Sequence, residues 1–231
     1  MANKIIIGLV CGNGKQWVEK WYEQAHRIGD DIIVIDNSTD GTGEYFLNKP
    51  KVAFYLKNKY NDRHMSRDYQ RILDLARSIG ATWIFNLDLD EFVSPTCTNY
   101  NFLELVNNTT GVGYASTYGF ILFEMIDDDQ HFMKTEYDCR LVHKFYKVLS
   151  HYKYDLTDKH GSSIPHNIET LGPCVNFKIQ HFGHYTKELR DQKINMYTNG
   201  SKKDKEEIFS PYLTGEYTIQ KWGGWDDELA K

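Results

Sequence analysis

Apolar positions in the first part of the chain fall into two alternating rhythms. Ile5 to Val10 is a continuous apolar run rich in β-branched residues, the mark of a strand buried on both faces. Trp17, Val18, Trp21, Ala25 and Ile28 then recur at helical spacing, with Gly29 placed as a C-cap. Ile32 to Ile35 reads as a second buried strand, and the dense turn cluster Asp36-Asn37-Ser38-Thr39-Asp40-Gly41-Thr42 ends it. Val52 to Leu56 is a third strand. Met65, Tyr69, Ile72, Leu73, Ala76 and Ile79 mark one face of a second helix, closed by Gly80. Trp83 to Leu87 is a fourth strand, running straight into Asp88-Leu89-Asp90-Glu91-Phe92.

Past residue 110 the rhythm changes. Gly113 to Phe123 reads as one long strand or two, and Leu141 to Tyr154 as another extended segment. Residues 155–173 carry Gly, Pro, Ser and Asp and read as a long loop. Val175 to His181 is a short strand, and Thr186 is placed to cap a helix ending at Asn199-Gly200. The stretch from Ser210 to Lys231 carries Trp222 and Trp225 but no pattern that places it. The order strand, helix, strand, turn, strand, helix, strand implies βαβ units and a mostly parallel sheet. Ligands of such sheets bind outside the carboxyl ends of the strands, where both acidic clusters fall.

Length and composition fit this expectation. With 231 residues, 41% hydrophobic and 26% charged, the chain suits one large α/β domain. Within that one domain the change of rhythm sets apart a first half at 1–110, a second at 111–200 and a tail at 201–231. The net charge of −5, the pI near 6.0 and the scattered basic residues lack the basic balance usual in proteins that live on nucleic acid. Lys202, Lys203 and Lys205 form only a short run, better suited to a solvated helix end or loop. Cys11, Cys97, Cys139 and Cys174 make no C-x-x-C pair, so reduced thiols in a cytoplasmic protein are expected. The apolar run near the start is short and lacks a cleavage site, and no stretch is long enough for a membrane span. The sequons at Asn37, Asn108 and Asn199 are read as accidental.

Two segments carry candidate chemistry. Asp88 and Asp90, one residue apart at a strand end, can both approach a hard cation, and oxygen ligands suit Mg²⁺ or Mn²⁺. A bare D-x-D is more often a solvated turn, but apolar residues on both sides of this one set it apart. Asp36 follows a buried strand directly, where an acid can hydrogen-bond ribose hydroxyls. The competing reading is an Asx-turn, which Asp40 followed by Gly41 fits better than Asp36 does.

Together these segments resemble the signatures of family 2 glycosyltransferases and their relatives of GT-A fold. Ile33 to Thr42 is similar to the V-D-D-G-S-x-D-G-T nucleotide loop, with Asn37-Ser38 in place of Asp-Gly. Asn86 to Phe92 is similar to the D-x-D-E-F form of the metal motif, about 50 residues further on. The resemblance implies an α/β/α three-layer sandwich with a mostly parallel sheet. It implies a metal-dependent, inverting transfer of sugar from a nucleotide-diphosphate donor, with UDP the default nucleotide. Asp36 would contact base or ribose, with Asp40 in the same loop, Asp88 would contact ribose, sugar or metal, and Asp90 would ligate the metal. Ser66-Arg67-Asp68 resembles the start of the helix before the D-x-D strand, so Arg67 would reach the nucleotide or else be an exposed helix charge. A histidine late in such chains supplies a further metal ligand. His181 fills that place, ahead of His184 and His166, and a core histidine is the competing reading.

An inverting transfer also needs a base for the acceptor hydroxyl. Candidates are Glu124, Asp127, Asp128, Asp129, Asp155 and Asp158. Glu124 ends an apolar strand, Asp158 lies in the long loop, and the triple aspartate reads as a solvated turn. The acceptor is open among glycans, lipid-linked sugars, proteins and small molecules, with a hydroxymethylated DNA base disfavoured by the acidic pI. Two rivals remain. A nucleotidyltransferase or sugar-nucleotide pyrophosphorylase would carry a Gly-rich loop after the first strand, where this chain has only Cys11-Gly12-Asn13-Gly14. A non-catalytic carbohydrate-binding module would suit the 14% aromatic content but not two acidic strand ends.

Overall fold

A computed structural model describes residues 2–59, 64–107, 116–126, 128–134, 140–159, 161–168, 171–172, 174–183, 185–189, 191, 218–222 and 225. Strands β1 (Ile5–Cys11), β2 (Asp31–Asp36), β3 (Val52–Lys57), β4 (Trp83–Asn86), β5 (Glu91–Val93), β6 (Thr117–Ile126), β7 (Asp128–Lys134), β8 (Arg140–Lys147), β9 (Cys174–His181) and β10 (Thr218–Lys221) are joined by helices α1 (Val18–Ile28), α2 (Met65–Ser78) and α3 (Asn99–Asn107). They form two compact units. One holds Met1–Asp90, Pro95–Phe120 and His143–Val175, the other Glu91–Ser94, Ile121–Val142 and Asn176–Lys231.

The first unit is built on a parallel block in the order β4-β1-β2-β3. The C-terminal half of β8 adds to it antiparallel, pairing Phe85 with Phe145 and Trp83 with Lys147. The fold is therefore mixed α/β with a mostly parallel central sheet, as the alternating rhythms imply. Both sheet faces are covered, which is why β1 and β2 read as unbroken apolar runs. Ile6, Ile33, Ile35 and Ile84 pack under α2 with Tyr69, Ile72, Leu73 and Ala76. On the opposite parity, Ile5, Ile7 and Leu9 are fully buried as well. There α1 buries Val18, Trp21, Ala25 and Ile28, four of the five predicted positions, and Trp17 precedes the helix. Trp21 meets Phe46 edge-on at 5.6 Å. Each buried Val, Leu, Ile or Phe side chain of this core contributes about 1.5–3 kcal/mol.

Gly29 follows α1 as expected, but for another reason than a left-handed cap. Its φ is −97°, and a Cβ there would stand 2.5 Å from the Ile7 side chain. Close approach of helix end to strand requires the glycine.

Several elements depart from the sequence reading. The extended segment expected to reach Tyr154 ends at Lys147, and the chain then turns so that buried Tyr152 and Tyr154 pack under α2. Helix α3 was not foreseen, because it buries only Phe102 and its apolar face is weak. The acidic run expected as a solvated turn opens strand β7 at Asp128, and Asp127 lies outside the described residues.

In the second unit β7 pairs antiparallel with β6 and β10, and β9 with β5. The unplaced tail thus contributes a strand. Trp222, just after β10, packs edge-on against Phe123 at 4.5 Å and Trp225 at 5.3 Å. Residues 187–189 and 191 are helical, as Thr186 suggested; the rest of that predicted helix lies outside the described residues. Among the described residues no helix is long and apolar enough to cross a membrane.

Candidate functional site

The chain leaves β1 for β2 and β3 on one side, then crosses back to place β4 on the other side of β1. This reversal is a topological switch point, and the carboxyl ends around it form the place where open α/β sheets bind ligands. The loops after β1, β2 and β4 meet there.

Asp36 ends β2 and is fully buried. Its Oδ1 accepts the Ser38 backbone N–H at 2.7 Å, and its Oδ2 accepts the Tyr55 hydroxyl at 2.7 Å and Lys57 Nζ at 2.8 Å. Burial alone would raise its pKa; the hydrogen bonds from Lys57, Ser38 and Tyr55 more than offset this and hold it below the usual carboxylate range. Gly43 closes over the carboxylate, since a Cβ there would lie 2.0 Å from Asp36 Cγ. In this arrangement Asp36 faces protein donors and shapes the loop. Asp40 forms the expected Asx-turn, accepting the Thr42 N–H at 2.9 Å and hydroxyl at 2.6 Å. The loop is clasped to the one after β1: Gly14 N–H donates to Thr42 Oγ1 at 3.0 Å, and Thr39 N–H to Asn13 Oδ1 at 2.7 Å.

Asp68, which sequence reasoning passed over, is the acceptor hub of the next network. It is fully buried in the first turn of α2. It accepts Asn37 Nδ2 at 2.9 Å and Arg67 Nε at 3.0 Å, and lies 3.6 Å from Arg71. Asn58, after β3, donates through Nδ2 to Asn37 Oδ1 at 2.7 Å and to Asp68 Oδ1 at 3.3 Å. Arg67 is therefore an ion-paired, one-fifth-exposed guanidinium at the loop rather than a loose helix charge. An acid beside two arginines was the available signal for Asp68.

At the end of β4, Leu89 is buried against Gly14. Its neighbours Asp88 and Asp90 stay partly exposed. Asp88 Oδ1 accepts the Tyr69 hydroxyl at 3.2 Å, and Oδ2 pairs with Lys144 Nζ at 2.9 Å. The Asp88 side chain is 35% exposed and that of Lys144 8%. Lys144 comes from β8, beside β4 in the sheet, so no local sequence signal announced it. A divalent cation bound to Asp88 Oδ2 at about 2.1 Å would sit within about 5 Å of this ammonium and be repelled. In this arrangement Asp88 Oδ2 is engaged by a lysine, and the metal-ligand role stands as a proposal for Asp88 as for His181. Asp90 keeps that role as a proposal.

The base candidates fall in different settings. Asp158 is exposed in the loop that docks on the start of α2: Met65 N–H donates to Lys159 O at 2.9 Å, and His64 Nε2–H to Leu156 O at 3.1 Å. In the second unit, buried Glu124 meets His181 Nδ1 at 2.6 Å. With Nδ1 committed to Glu124, the chemistry of His181 falls to Nε2. His184, Asp127 and His160 lie outside the described residues. Cys11 and Cys97 are buried free thiols, and burial with nearby Asp36 pushes the Cys11 thiol far up.

No protein-family model matches the sequence, and no curated protein matches it. Solved structures do resemble it. S. aureus TarS superposes with TM-score 0.53 at 12% identity over 91% of this chain, which spans 43% of that one. A shorter form, S. aureus TarS 1–349 in complex with UDP-GlcNAc, gives 0.53 at 11% identity, covering 91% of this chain and 71% of that one. At such identity the likeness shows the fold alone, and that fold is the GT-A type.

Proposed function

We propose that this chain transfers a sugar from a nucleotide-diphosphate donor to a hydroxyl acceptor. The observation that carries this is the convergence of the Asp36–Thr42 loop, the Arg67–Asp68 pair and the Asp88-x-Asp90 turn at one switch point of a GT-A fold. A UDP-sugar is the default donor, in keeping with the UDP-GlcNAc held by S. aureus TarS. The clasped loop shaped by Asp36 receives the base and ribose, and Arg67 faces the phosphates. The acceptor hydroxyl attacks the anomeric carbon, its proton passes to a carboxylate, and the bond to the diphosphate oxygen breaks with inversion. Asp158 is the exposed carboxylate for that proton; Glu124, paired with His181, is the alternative.

Purified protein should release UDP from a UDP-sugar, faster with the right acceptor, and Asp158→Asn should lower kcat about 10²- to 10⁴-fold if Asp158 is the base. Unaltered kcat in that variant passes the role to Glu124, tested by Glu124→Gln. Pyrophosphate released from a nucleoside triphosphate and a sugar 1-phosphate would instead make it a nucleotidyltransferase.

A further inference from the structure

We infer that Lys144 supplies positive charge to the donor diphosphate at the place a D-x-D metal would occupy, so that nucleotide binding does not depend on a divalent cation. The inference rests on the nucleotide-sugar reading. Lys144 is nearly buried, yet its ammonium stands at the carboxyl end of β4, 2.9 Å from Asp88 Oδ2. A buried ammonium is retained only where an anion meets it. Asp88 is one such anion, held from its other side by the Tyr69 hydroxyl at 3.2 Å. Tyr69 is itself fixed, 2% exposed and stacked on Tyr154 at 5.7 Å. Asp88 is therefore positioned from two sides to hold Lys144 rather than to receive a metal. Asp88 also remains partly exposed, at the carboxyl end of the sheet where the loops after β1, β2 and β4 meet.

The electrostatics follow from this arrangement. When the anomeric C–O bond breaks, its electron pair stays on the diphosphate oxygen, which gains one negative charge. A fixed ammonium stabilises that charge as a point donor without reorganising. A divalent cation at Asp88 would have to displace it, leaving Asp90 and the phosphates as the remaining ligands. Divalent ions then enhance turnover rather than license it.

The test uses the full chain, with UDP and uridine as calorimetric probes, in EDTA and in Mn²⁺. The wild type should bind UDP in EDTA within about tenfold of its affinity in Mn²⁺. Lys144→Met should weaken UDP binding in EDTA about 10- to 100-fold, as expected for a lost charge-assisted contact, and change uridine binding less than about twofold. Lys144→Arg should restore most of the loss. Millimolar Mn²⁺ should rescue Lys144→Met, because Asp88 is then released to ligate. Three results overturn the inference: wild-type UDP binding that vanishes in EDTA, Lys144→Met binding UDP as the wild type does, or equal losses for UDP and uridine. The wild-type comparison needs no variant, so it decides even if Lys144→Met fails to fold. Absence of any nucleotide binding in both conditions overturns the nucleotide-sugar reading itself, and the inference with it.

Discussion

At Asp36 burial and hydrogen bonding oppose each other, and hydrogen bonding wins. A carboxylate held below its ordinary pKa contributes stability that is full above the unfolded value, about 3.9, and is lost as pH falls through the folded one. The wild type should therefore lose stability in acid below about pH 4, and Asp36→Asn should flatten that limb while lowering stability at neutral pH by about 1.5–3 kcal/mol. Denaturant melts from pH 2.5 to 7 read both effects, and parallel acid limbs would mean that Asp36 is not the group responsible. Asp90 calls for a different measurement. With Asp88 engaged by Lys144, Asp90→Asn should remove the Mn²⁺-stimulated part of turnover and spare the part that survives EDTA. Loss of both parts together would show that Asp90 acts without a metal. The acids at strand ends were legible in the sequence because strand and motif adjoin. Lys57, Tyr55 and Lys144 were not, since nothing in their own neighbourhoods marks them as partners of an aspartate.

Among the elements, the start of α2 is held at the site by its cap and by the loop from Asp155. His64 caps it, its Nδ1 accepting the Arg67 N–H at 3.2 Å. The loop from Asp155 lies against it so closely that a Cβ on Gly161 would stand 1.9 Å from Ser66 Oγ. Gly161→Val should force that loop away, costing about 1–3 kcal/mol and raising the donor KM more than it lowers stability alone would explain. A variant with lower Tm but unchanged KM would detach this loop from the site. Helices α1 and α2 were readable because each presents a broad apolar stripe to a sheet. Helix α3, with only Phe102 buried, offered no such stripe. The acidic run at Asp128 opens a strand because sheet pairing with β6 supplies what its own residues do not favour.

At the scale of the whole chain, donor binding should stabilise the fold by mass action. UDP at about a thousand times its Kd would add about 4 kcal/mol, read as a rise in Tm, whereas uridine should add less at equal concentration. A panel of nucleotide diphosphates and their sugars that gives no rise in Tm would contradict the proposed donor class.

The alternating rhythms determined the parallel block, because strands buried on both faces and helices with one apolar stripe leave distinct marks on a sequence. They also located the two acidic strand ends, since chain order alone places them at carboxyl termini. Only the tertiary structure decided what those acids do with their charge. Asp36 is turned inward by Tyr55 and Lys57, Asp68 is made a hub by Asn37 and Asn58, and Asp88 is met by a lysine 56 residues away in the chain. Electrostatic partnership depends on distance in space. A sheet brings together at 2.9 Å side chains that no local pattern connects.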